Sequence, residues 1–520
     1  MELLVVAAVL VAAYPLLLAA AAALFIFTER RRYARHHLLA QSDAADHPSG
    51  EKTLTIGIFH PYANGGGGGE RVMFCALAAL VRHFQQRKQR GEGTARRVEL
   101  LLYAGDDGLS AKQLLEHAAE RFNLPALLQL EVELFVRLVP LANRDVLDPA
   151  RYPRFTLFWQ SVAHVRLALS AFATSEKLGL YPRVWVDTTG CAFSYLVASV
   201  RFGCTVVAYV HYPMISTDMI AKVQTRAADY NNDAAVAASP ARSLAKFVYY
   251  RLFAAAYTVV GRYCTDVVMV NSTWTFRHIQ QLWGGQPVIV YPPCGELTEF
   301  RGFDLATRAP LALSIAQFRP EKNQLLQLQA LQALLRTHAV AMANAHKDFQ
   351  LVLLGSCRNA DDEARVAALK EQCVELGVSA RVRFVVNASY ADLKRHLATA
   401  SIGLHTMYNE HFGISVVEMM AAGLVVVANN SGGPAADIVR VGTGYLALTA
   451  DEYAEQLFRA LEVEASDALA MRTRARDSCG RFSDDAFDAQ FIAAMAPVLG
   501  DEAPGAQQGE RSSRSDKKAE

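Results

Sequence analysis

Short apolar runs alternate with helix-length stretches along most of this 520-residue chain, and this alternation constrains the fold more than any other feature. The first series of runs is Leu54 to Phe59, Val98 to Tyr103, Val184 to Asp187, Thr205 to Tyr209, Val267 to Val270 and Val288 to Tyr291. The second series is Leu311 to Ile315, Phe349 to Leu354, Val382 to Val385, Ile402 to His405 and Val425 to Ala428. Apolar strands separated by helices are typical of parallel sheets covered on both faces. The pattern predicts an α/β chain with two doubly wound, Rossmann-like domains facing a cleft.

The N-terminal segment predicts a membrane anchor. No charged residue occurs from Leu3 to Phe27, and a helix of that length spans a hydrocarbon core of about 30 Å. A cleaved signal peptide would carry basic residues before a shorter apolar stretch. Here the arginines follow the run, at Arg30, Arg31, Arg32 and Arg35. The positive-inside rule then places the rest of the chain on the cytosolic side.

The expected organisation has six parts. Residues 1–30 form the anchor and 31–52 a basic and polar linker. Residues 53–300 and 301–480 form the two Rossmann-like domains, with the boundary near Leu297 to Pro310. A C-terminal helix at 481–498 returns to the first domain, and 499–520 is too polar to fold.

Charge and cysteine content exclude several kinds of partner. Lys and Arg number 52 against 51 Asp and Glu, so no net charge favours nucleic acid. The eight cysteines contain no C-x-x-C pair and no Cys/His cluster with metal-ligand spacing. We therefore expect no metal site and a reducing compartment.

Five consecutive glycines, Gly65 to Gly69, followed by Glu70, stand between the first predicted strand and a helical stretch. A strand, a glycine turn and a helix N-terminus together present free backbone N–H groups to an anion or a polar ligand. A flexible linker or an ordinary tight turn between a strand and a helix would have the same sequence. The glycines alone therefore leave both possibilities open.

Polar residues follow several strands at the edge where ligands bind in such sheets. His211 follows the fourth strand, Arg319 and Lys322 follow the first strand of the second series, and Glu410 and Glu418 follow a later one. An arginine and a lysine can hold a diphosphate, and a carboxylate on the inner face of a helix needs a partner such as a ribose diol. Solvated surface charges and a helix-capping pair are the alternative explanations.

The stretch "NEHFGISVVEMMAAGLVVVANNSGGPAADIV", preceded by "RPEKN", resembles the retaining glycosyltransferases of family four, which have the GT-B fold. The motifs "GGGGGERV", "VDTTG", "VHYPMISTDM", "NSTWT" and "YPPCG" are similar to those of the α-1,2-mannosyltransferases of asparagine-linked glycosylation. The resemblance covers roughly Leu54 to Phe491. It implies a first, acceptor domain and a second, nucleotide-sugar donor domain.

The resemblance also implies roles for individual residues. Glu418 would bind the ribose hydroxyls of GDP, Glu410 the mannose hydroxyls, and Lys322 with Arg319 the diphosphate. His211 would lie near the reacting centre. The backbone at the start of the following helix would contact the sugar or the β-phosphate, and the glycine turn would contact the sugar phosphate or the acceptor. These two backbone segments are Phe412, Gly413 and Ile414, and Gly65, Gly66, Gly67, Gly68, Gly69 and Glu70.

One departure from the family weakens the role of Arg319. Many members carry Gly-Arg well ahead of the lysine, whereas this chain has Ala316 and Gln317 there and places Arg319 three residues before Lys322. Two other readings stay open: a related transferase with a different lipid acceptor, such as phosphatidylinositol or an earlier dolichol intermediate, and a non-catalytic scaffold of the same fold.

The resemblance further implies partners and a location. The expected donor is GDP-mannose, with no metal or other cofactor, and the acceptor is a dolichol-pyrophosphate oligosaccharide in the bilayer. The catalytic domains would face the cytosol at the endoplasmic reticulum membrane, and the partners would include other early mannosyltransferases in a complex. The stretch Ser243 to Tyr263 mixes basic, aromatic and aliphatic residues, which suits either an interfacial helix or an ordinary buried one.

Overall fold

The computed structural model describes residues 52–90, 96–106, 108–129, 136–226, 234–295 and 297–499. The predicted anchor, nearly all of the linker that follows it and all of the predicted tail except Leu499, which ends the last helix, lie outside these residues. Within the described ranges, no helix has the length and apolar content needed to cross a bilayer.

The first sheet contains seven parallel strands in the order β3-β2-β1-β4-β5-β6-β7. Its strands are β1 (Lys52–Phe59), β2 (Arg96–Ala104), β3 (Val136–Pro140), β4 (Val184–Asp187), β5 (Thr205–Val210), β6 (Val267–Val270) and β7 (Val288–Ile289). The strand order reverses between β1 and β4, which makes this point of the sheet a topological switch where ligands bind in doubly wound folds.

The second sheet repeats the plan with six parallel strands in the order β10-β9-β8-β11-β12-β13. Its strands are β8 (Ala309–Ile315), β9 (Gln350–Gly355), β10 (Val382–Val386), β11 (Ala400–Leu404), β12 (Val425–Asn429) and β13 (Gly444–Ala447). The prediction of two parallel-sheet domains is confirmed. The two strands that the sequence pattern missed, β3 and β13, are edge strands with exposed or half-buried positions, so neither is a continuous apolar run.

Helices cover both faces of each sheet. In the first domain they are α1 (Gly68–Gln89), α2 (Ala111–Phe122), α3 (Thr156–Lys177), α4 (Thr217–Gln224), α5 (Ala234–Ala237), α6 (Pro240–Cys264) and α7 (Thr273–Trp283). In the second they are α8 (Gln324–Thr337), α9 (Ala339–Asn344), α10 (Ala360–Glu375), α11 (Tyr390–Thr399), α12 (Ile414–Ala421), α13 (Ala450–Glu462) and α14 (Ala465–Ser478). Two separate cores lie on the two faces of the first sheet, and two more on those of the second.

The last helix, α15 (Asp484–Leu499), crosses back from the second domain and packs against α1. Phe487, Phe491 and Met495 belong to the core between α1 and the first sheet. Its first turn also carries Asp484, which pairs with Arg71 of α1 at 2.9 Å. Because α15 follows the second domain in the chain and packs in the first, it connects the two domains at a second place.

Helix α6 contains the stretch Ser243 to Tyr263, for which the sequence left both an interfacial and a buried helix possible. Tyr250, Phe253 and Tyr257 on its inner face are buried in the core of the first domain. Leu244 and Leu252 on its outer face are exposed. The helix is therefore part of the core, and its outer face remains available for an interface.

The carboxyl edges of the two sheets face each other. The loop after β5 touches the loop after β11, where the rings of Tyr212 and His411 stack with centroids 4.0 Å apart. At a second place, Asp437 of the second domain accepts hydrogen bonds from the backbone N–H of Thr273 at 2.8 Å and from the hydroxyl of Tyr291 at 3.0 Å. Between these contacts lies the cleft.

Candidate active site

The glycine turn lies in the cleft, at the beginning of α1. Gly66 has a φ of +84°, which favours glycine, and Gly67 precedes the first helical residue. The carboxylate of Glu70 accepts a hydrogen bond from the N–H of Gly67 at 2.7 Å and so closes the turn. A Cβ added at Gly68 would lie 3.3 Å from the side chain of Ile414, and one added at Gly69 would lie 3.7 Å from Nε2 of His211.

Helix α12 starts on the opposite side of the cleft from α1. Gly413, with a φ of +112°, precedes its first residue and lets the chain turn sharply into the helix. The turn is supported by Gly433, where an added Cβ would lie 2.4 Å from the carbonyl oxygen of Phe412. The first backbone N–H groups of a helix have no partner inside it and carry the positive end of its dipole. Because Gly68 and Ile414 approach each other, two such ends meet in the cleft.

Lys322 and Glu410, which are 88 positions apart in the sequence, form an ion pair with Nζ and Oε2 at 2.5 Å. The Nε2 atom of His405 lies 3.3 Å from the same carboxylate oxygen. Burial would raise the pKa of Glu410, but Lys322 and His405 outweigh it and hold this pKa well below its usual range. Glu410 is therefore an ionised hydrogen-bond acceptor at neutral pH.

Glu418 lies on α12, about one turn from Ile414, and has a different environment. Burial, with the nearby Glu299 acting in the same direction, raises its pKa to about 7, while Arg71 lowers it. No group in the described part of the chain donates a hydrogen bond to its carboxylate. A half-buried carboxyl without a donor is a natural partner for hydroxyl groups of a ligand.

His211 belongs to a buried network at the ends of β4 and β5. Its Nε2 lies 3.0 Å from the carbonyl oxygen of Thr188, so this nitrogen donates and Nδ1 remains an acceptor. The Thr188 hydroxyl lies 2.8 Å from Nδ1 of His60, whose other nitrogen is 3.7 Å from Glu70. Burial lowers the pKa of His211 to about 4, which keeps the ring neutral.

The turn that carries Thr188 is held by Asp187. This buried carboxylate accepts hydrogen bonds from Tyr195 at 2.6 Å, from the hydroxyl of Thr189 at 2.7 Å and from the N–H of Gly190 at 3.1 Å. The "VDTTG" segment thus sets the position of His211 through Thr188.

Arg319 lies beside Lys322 in the chain, but its guanidinium pairs with Glu321 at 3.4 Å. Among the described residues it makes no ion pair with Glu410. The structure thus pairs Lys322 with Glu410, places the glycine turn next to Ile414 and His211, and leaves Arg319 at the side.

Sequence reasoning missed several partners of these residues. His405 and Met407 contact the Lys322–Glu410 pair, and Met407 Sδ lies 3.2 Å from Nζ of Lys322. Arg71, which faces Glu418, comes from the first domain and forms hydrogen bonds with the carbonyl oxygens of Pro293 and Phe122. His60 directly follows β1 and His405 directly follows β11. Their position after a buried strand is the sequence feature that could have indicated them.

Two family models match this chain. Residues 53–283 match the model described as the ALG11 mannosyltransferase N-terminus, and residues 297–478 match the model of glycosyl transferases group 1. The first match covers strands β1 to β6 of the first sheet, and the second covers all six strands of the second sheet.

Curated relatives match over most of their length. The Xenopus laevis GDP-Man:Man(3)GlcNAc(2)-PP-Dol alpha-1,2-mannosyltransferase is 41% identical over 460 residues, which cover 86% of this chain and 89% of the relative. The Homo sapiens protein of the same name is also 41% identical, over 87% of this chain and 88% of its own length.

Solved structures show the same fold at much lower identity. The trehalose 6-phosphate synthase of Burkholderia multivorans aligns with a TM-score of 0.57 at 12% identity, covering 86% of this chain and 99% of its own. Anabaena HepE in complex with UDP-glucose aligns with a TM-score of 0.54 at 16% identity, covering 85% of this chain and 100% of its own. Both alignments support a two-domain glycosyltransferase fold.

Proposed function

Because the chain belongs to the GDP-Man:Man(3)GlcNAc(2)-PP-Dol alpha-1,2-mannosyltransferase family, we propose that it transfers mannose from GDP-mannose to this dolichol-linked acceptor. The observation that carries the proposal is the meeting of two helix N-termini with the Lys322–Glu410 pair in one cleft. Two positive helix ends that face each other favour an anion between them. A sugar nucleotide supplies that anion as its pyrophosphate.

The donor is held by groups from both domains. The pyrophosphate lies between the start of α1 and the start of α12, within reach of the Lys322 ammonium. Glu418 accepts from the ribose hydroxyls, which supply the donors that its carboxylate lacks. Glu410, ionised, accepts from the mannose hydroxyls. Arg319 pairs with Glu321 through Nη1, and we assign it no contact with the diphosphate.

Catalysis is electrostatic. As the bond from mannose to the β-phosphate breaks, negative charge grows on GDP, and preorganised donors stabilise such charge best. Lys322 and the N–H groups at the start of α12 are placed for this role, so no metal or other cofactor is required. The α configuration is retained by attack on the face from which GDP departs, as in the related enzymes.

The acceptor approaches from the first domain. His211 is neutral, and its free Nδ1 accepts a hydrogen bond from a hydroxyl of the donor or acceptor sugar. Gly69 lies next to it and leaves room that a side chain would fill. The same site adds two mannoses in succession and converts Man3GlcNAc2 to Man5GlcNAc2.

The acceptor's lipid requires contact with a bilayer at the cytosolic face of the endoplasmic reticulum. The apolar segment Leu3 to Phe27 serves as the anchor. An exposed aromatic surface also supports membrane contact: Phe155, Phe158 and Trp159 at the start of α3 are 63%, 51% and 46% exposed. Phe155 packs edge-on against Tyr249 of α6, with ring centroids 5.5 Å apart. Both helices start at the cleft edge of the sheet, so this surface faces the same side as the cleft.

The test incubates the detergent-solubilised full chain with GDP-mannose and lipid-linked Man3GlcNAc2 pyrophosphate. We expect two added hexoses, both removed by an α-1,2-specific mannosidase. Replacing GDP-mannose by UDP-glucose should abolish transfer. If GDP binds and no hexose is added, the acceptor is a different lipid or the chain is a scaffold. Products resistant to the mannosidase would refute the linkage.

A further inference from the structure

A cavity of about 270 Å³ opens at the mouth of the cleft, and none of the residues assigned above to GDP-mannose lines it. Its wall combines four aromatic rings with several hydrogen-bonding side chains. The rings belong to Tyr212, Trp274, Tyr408 and His411, and the polar groups include Asp218, Lys222, Glu321, Asn323 and Asn409.

The cavity adjoins the reaction centre. Tyr212 follows His211 in the chain, Asn323 follows Lys322, and His411 follows Glu410. Adjacent Cα atoms are about 3.8 Å apart. Each of these three lining residues is therefore the direct chain neighbour of a proposed catalytic residue, and the cavity lies beside the catalytic groups. Whatever binds here lies beside the donor sugar without occupying its place.

Three of the four rings lie in nearly parallel planes and come from both domains: Tyr212 and His411 stack face to face with centroids 4.0 Å apart, and Trp274 lies beside both. The planes of Tyr212 and Trp274 differ by 5°, with ring centroids 5.8 Å apart, and the plane of His411 differs from that of Trp274 by 24°. Burial lowers the pKa of His411 to about 4, so this ring is uncharged at neutral pH. Ring faces carry partial negative charge and attract the C–H groups on the flat side of a ligand.

The polar groups favour an uncharged ligand. The Asp218 carboxylate accepts a hydrogen bond from the Asn409 amide at 2.6 Å, and this bond crosses the cleft. The lining holds two carboxylates, Asp218 and Glu321, and one cation, Lys222, whose ammonium lies 5.3 Å from the ring of Tyr408. Since Glu321 also pairs with Arg319, positive and negative charges balance and there is no excess positive charge for a phosphate. Amide, carboxylate and ammonium groups can donate to and accept from the hydroxyls of a polyol.

We propose that this cavity binds one hexose of the acceptor glycan, next to the sugar that receives mannose. The proposal rests on the function proposed above and identifies where the glycan enters. The volume is below the roughly 300 Å³ at which drug-sized pockets begin, and it suits a single sugar ring. Because Tyr212 and Asp218 come from the first domain and His411 and Asn409 from the second, the cavity exists only when the domains are close together.

Two variants and a matched control test the cavity. Trp274→Leu removes one flat face. Tyr408→Leu removes a cavity ring that is 54% exposed. The matched control is Tyr181→Leu, which removes a ring of similar exposure, 57%, that precedes β4 at the opposite edge of the sheet. We expect the KM for the lipid-linked glycan to rise about tenfold in Trp274→Leu and about threefold in Tyr408→Leu, with the KM for GDP-mannose unchanged. The control should behave as the wild type. An acceptor KM within twofold of wild type in both cavity variants would overturn the proposal.

A binding measurement separates this proposal from the activity. The free Man3GlcNAc2 glycan, released from its lipid, should change the tryptophan fluorescence of the wild type, and the change should be absent in Trp274→Leu. If the wild type transfers no mannose and the fluorescence still responds, the cavity stands and the proposed activity fails. If transfer occurs without any response and without a KM effect, the cavity proposal fails alone.

Discussion

Replacing Glu418 by glutamine should make the protein more stable while weakening GDP binding. Burial raises the pKa of Glu418 from 4.5 to about 7, so the folded state disfavours the ionised form. Each pKa unit corresponds to about 1.36 kcal/mol, which gives a penalty of about 3 kcal/mol when the group is fully ionised. Glutamine has nearly the same shape and no charge, so it removes this penalty.

Because the pKa of Glu418 is raised in the folded state, the stability difference between Glu418→Gln and wild type should depend on pH. Below pH 4.5 the carboxyl is protonated in both states and costs nothing. As the pH rises toward 7, the unfolded chain loses its proton before the folded protein does, and the wild type loses stability. The variant should therefore gain about 1 kcal/mol over wild type at pH 5 and about 3 kcal/mol at pH 8.

Urea denaturation at the two pH values measures the difference. With a urea dependence of about 3 kcal/mol per molar, the midpoint of Glu418→Gln should lie about 1 M above that of wild type at pH 8 and about 0.3 M above it at pH 5. Isothermal titration with GDP should show weaker binding by the same variant at pH 8. Equal midpoints at pH 8, or a difference that shrinks as pH rises, would refute the reasoning about burial.

Other variants probe the rest of the cleft. Gly69→Ala should keep its melting temperature within about 2 °C, because the new methyl group would lie in ordinary contact 3.7 Å from Nε2 of His211, yet lose at least about tenfold in transfer since it fills ligand space. Normal activity in this variant would exclude close approach of a ligand. Lys322→Met should destabilise the fold by about 3 kcal/mol because the half-buried Glu410 carboxylate loses its lysine and keeps only His405, at 3.3 Å, and adding Glu410→Gln should restore most of that loss in a denaturation cycle. Additive losses would show that the pair is not coupled. The KM for GDP-mannose should fall as pH rises from 6 to 8 in wild type and stay flat in Glu418→Gln, since burial keeps His211 neutral throughout that range. A pH dependence that persists in the variant would assign the titration to another group.

Strands in the sheet interior were predictable because they are apolar on both faces. Val184–Asp187 and Val267–Val270 have the predicted bounds, and the other predicted strands shifted by one or a few residues at their ends. Two of the four edge strands, β3 and β13, were missed because one side of an edge strand is exposed and its sequence can be partly polar. The other two, β7 and β10, were predicted because their sequences are mostly apolar.

The candidate site was only partly predictable. Loops that follow strands pointed to Lys322, Glu410 and His211, and the structure brings them to one cleft. The pairing of Lys322 with Glu410 depends on two loops 88 positions apart, and no local pattern reports such a contact. The position of Arg71 beside Glu418 depends on how the two domains meet, which periodicity within either domain cannot indicate.

The return of α15 to the first domain has a consequence for synthesis on the ribosome. Domains of a nascent chain generally fold in order, beginning at the N-terminus. Here Phe487 and Phe491 complete the core beneath α1, so the first domain leaves the ribosome with an open apolar surface along that helix. The surface closes only after the whole second domain has been translated. Until then the nascent first domain is a substrate for chaperones, and release of a chain truncated before Asp484 should yield a protein that aggregates even though both sheets are present.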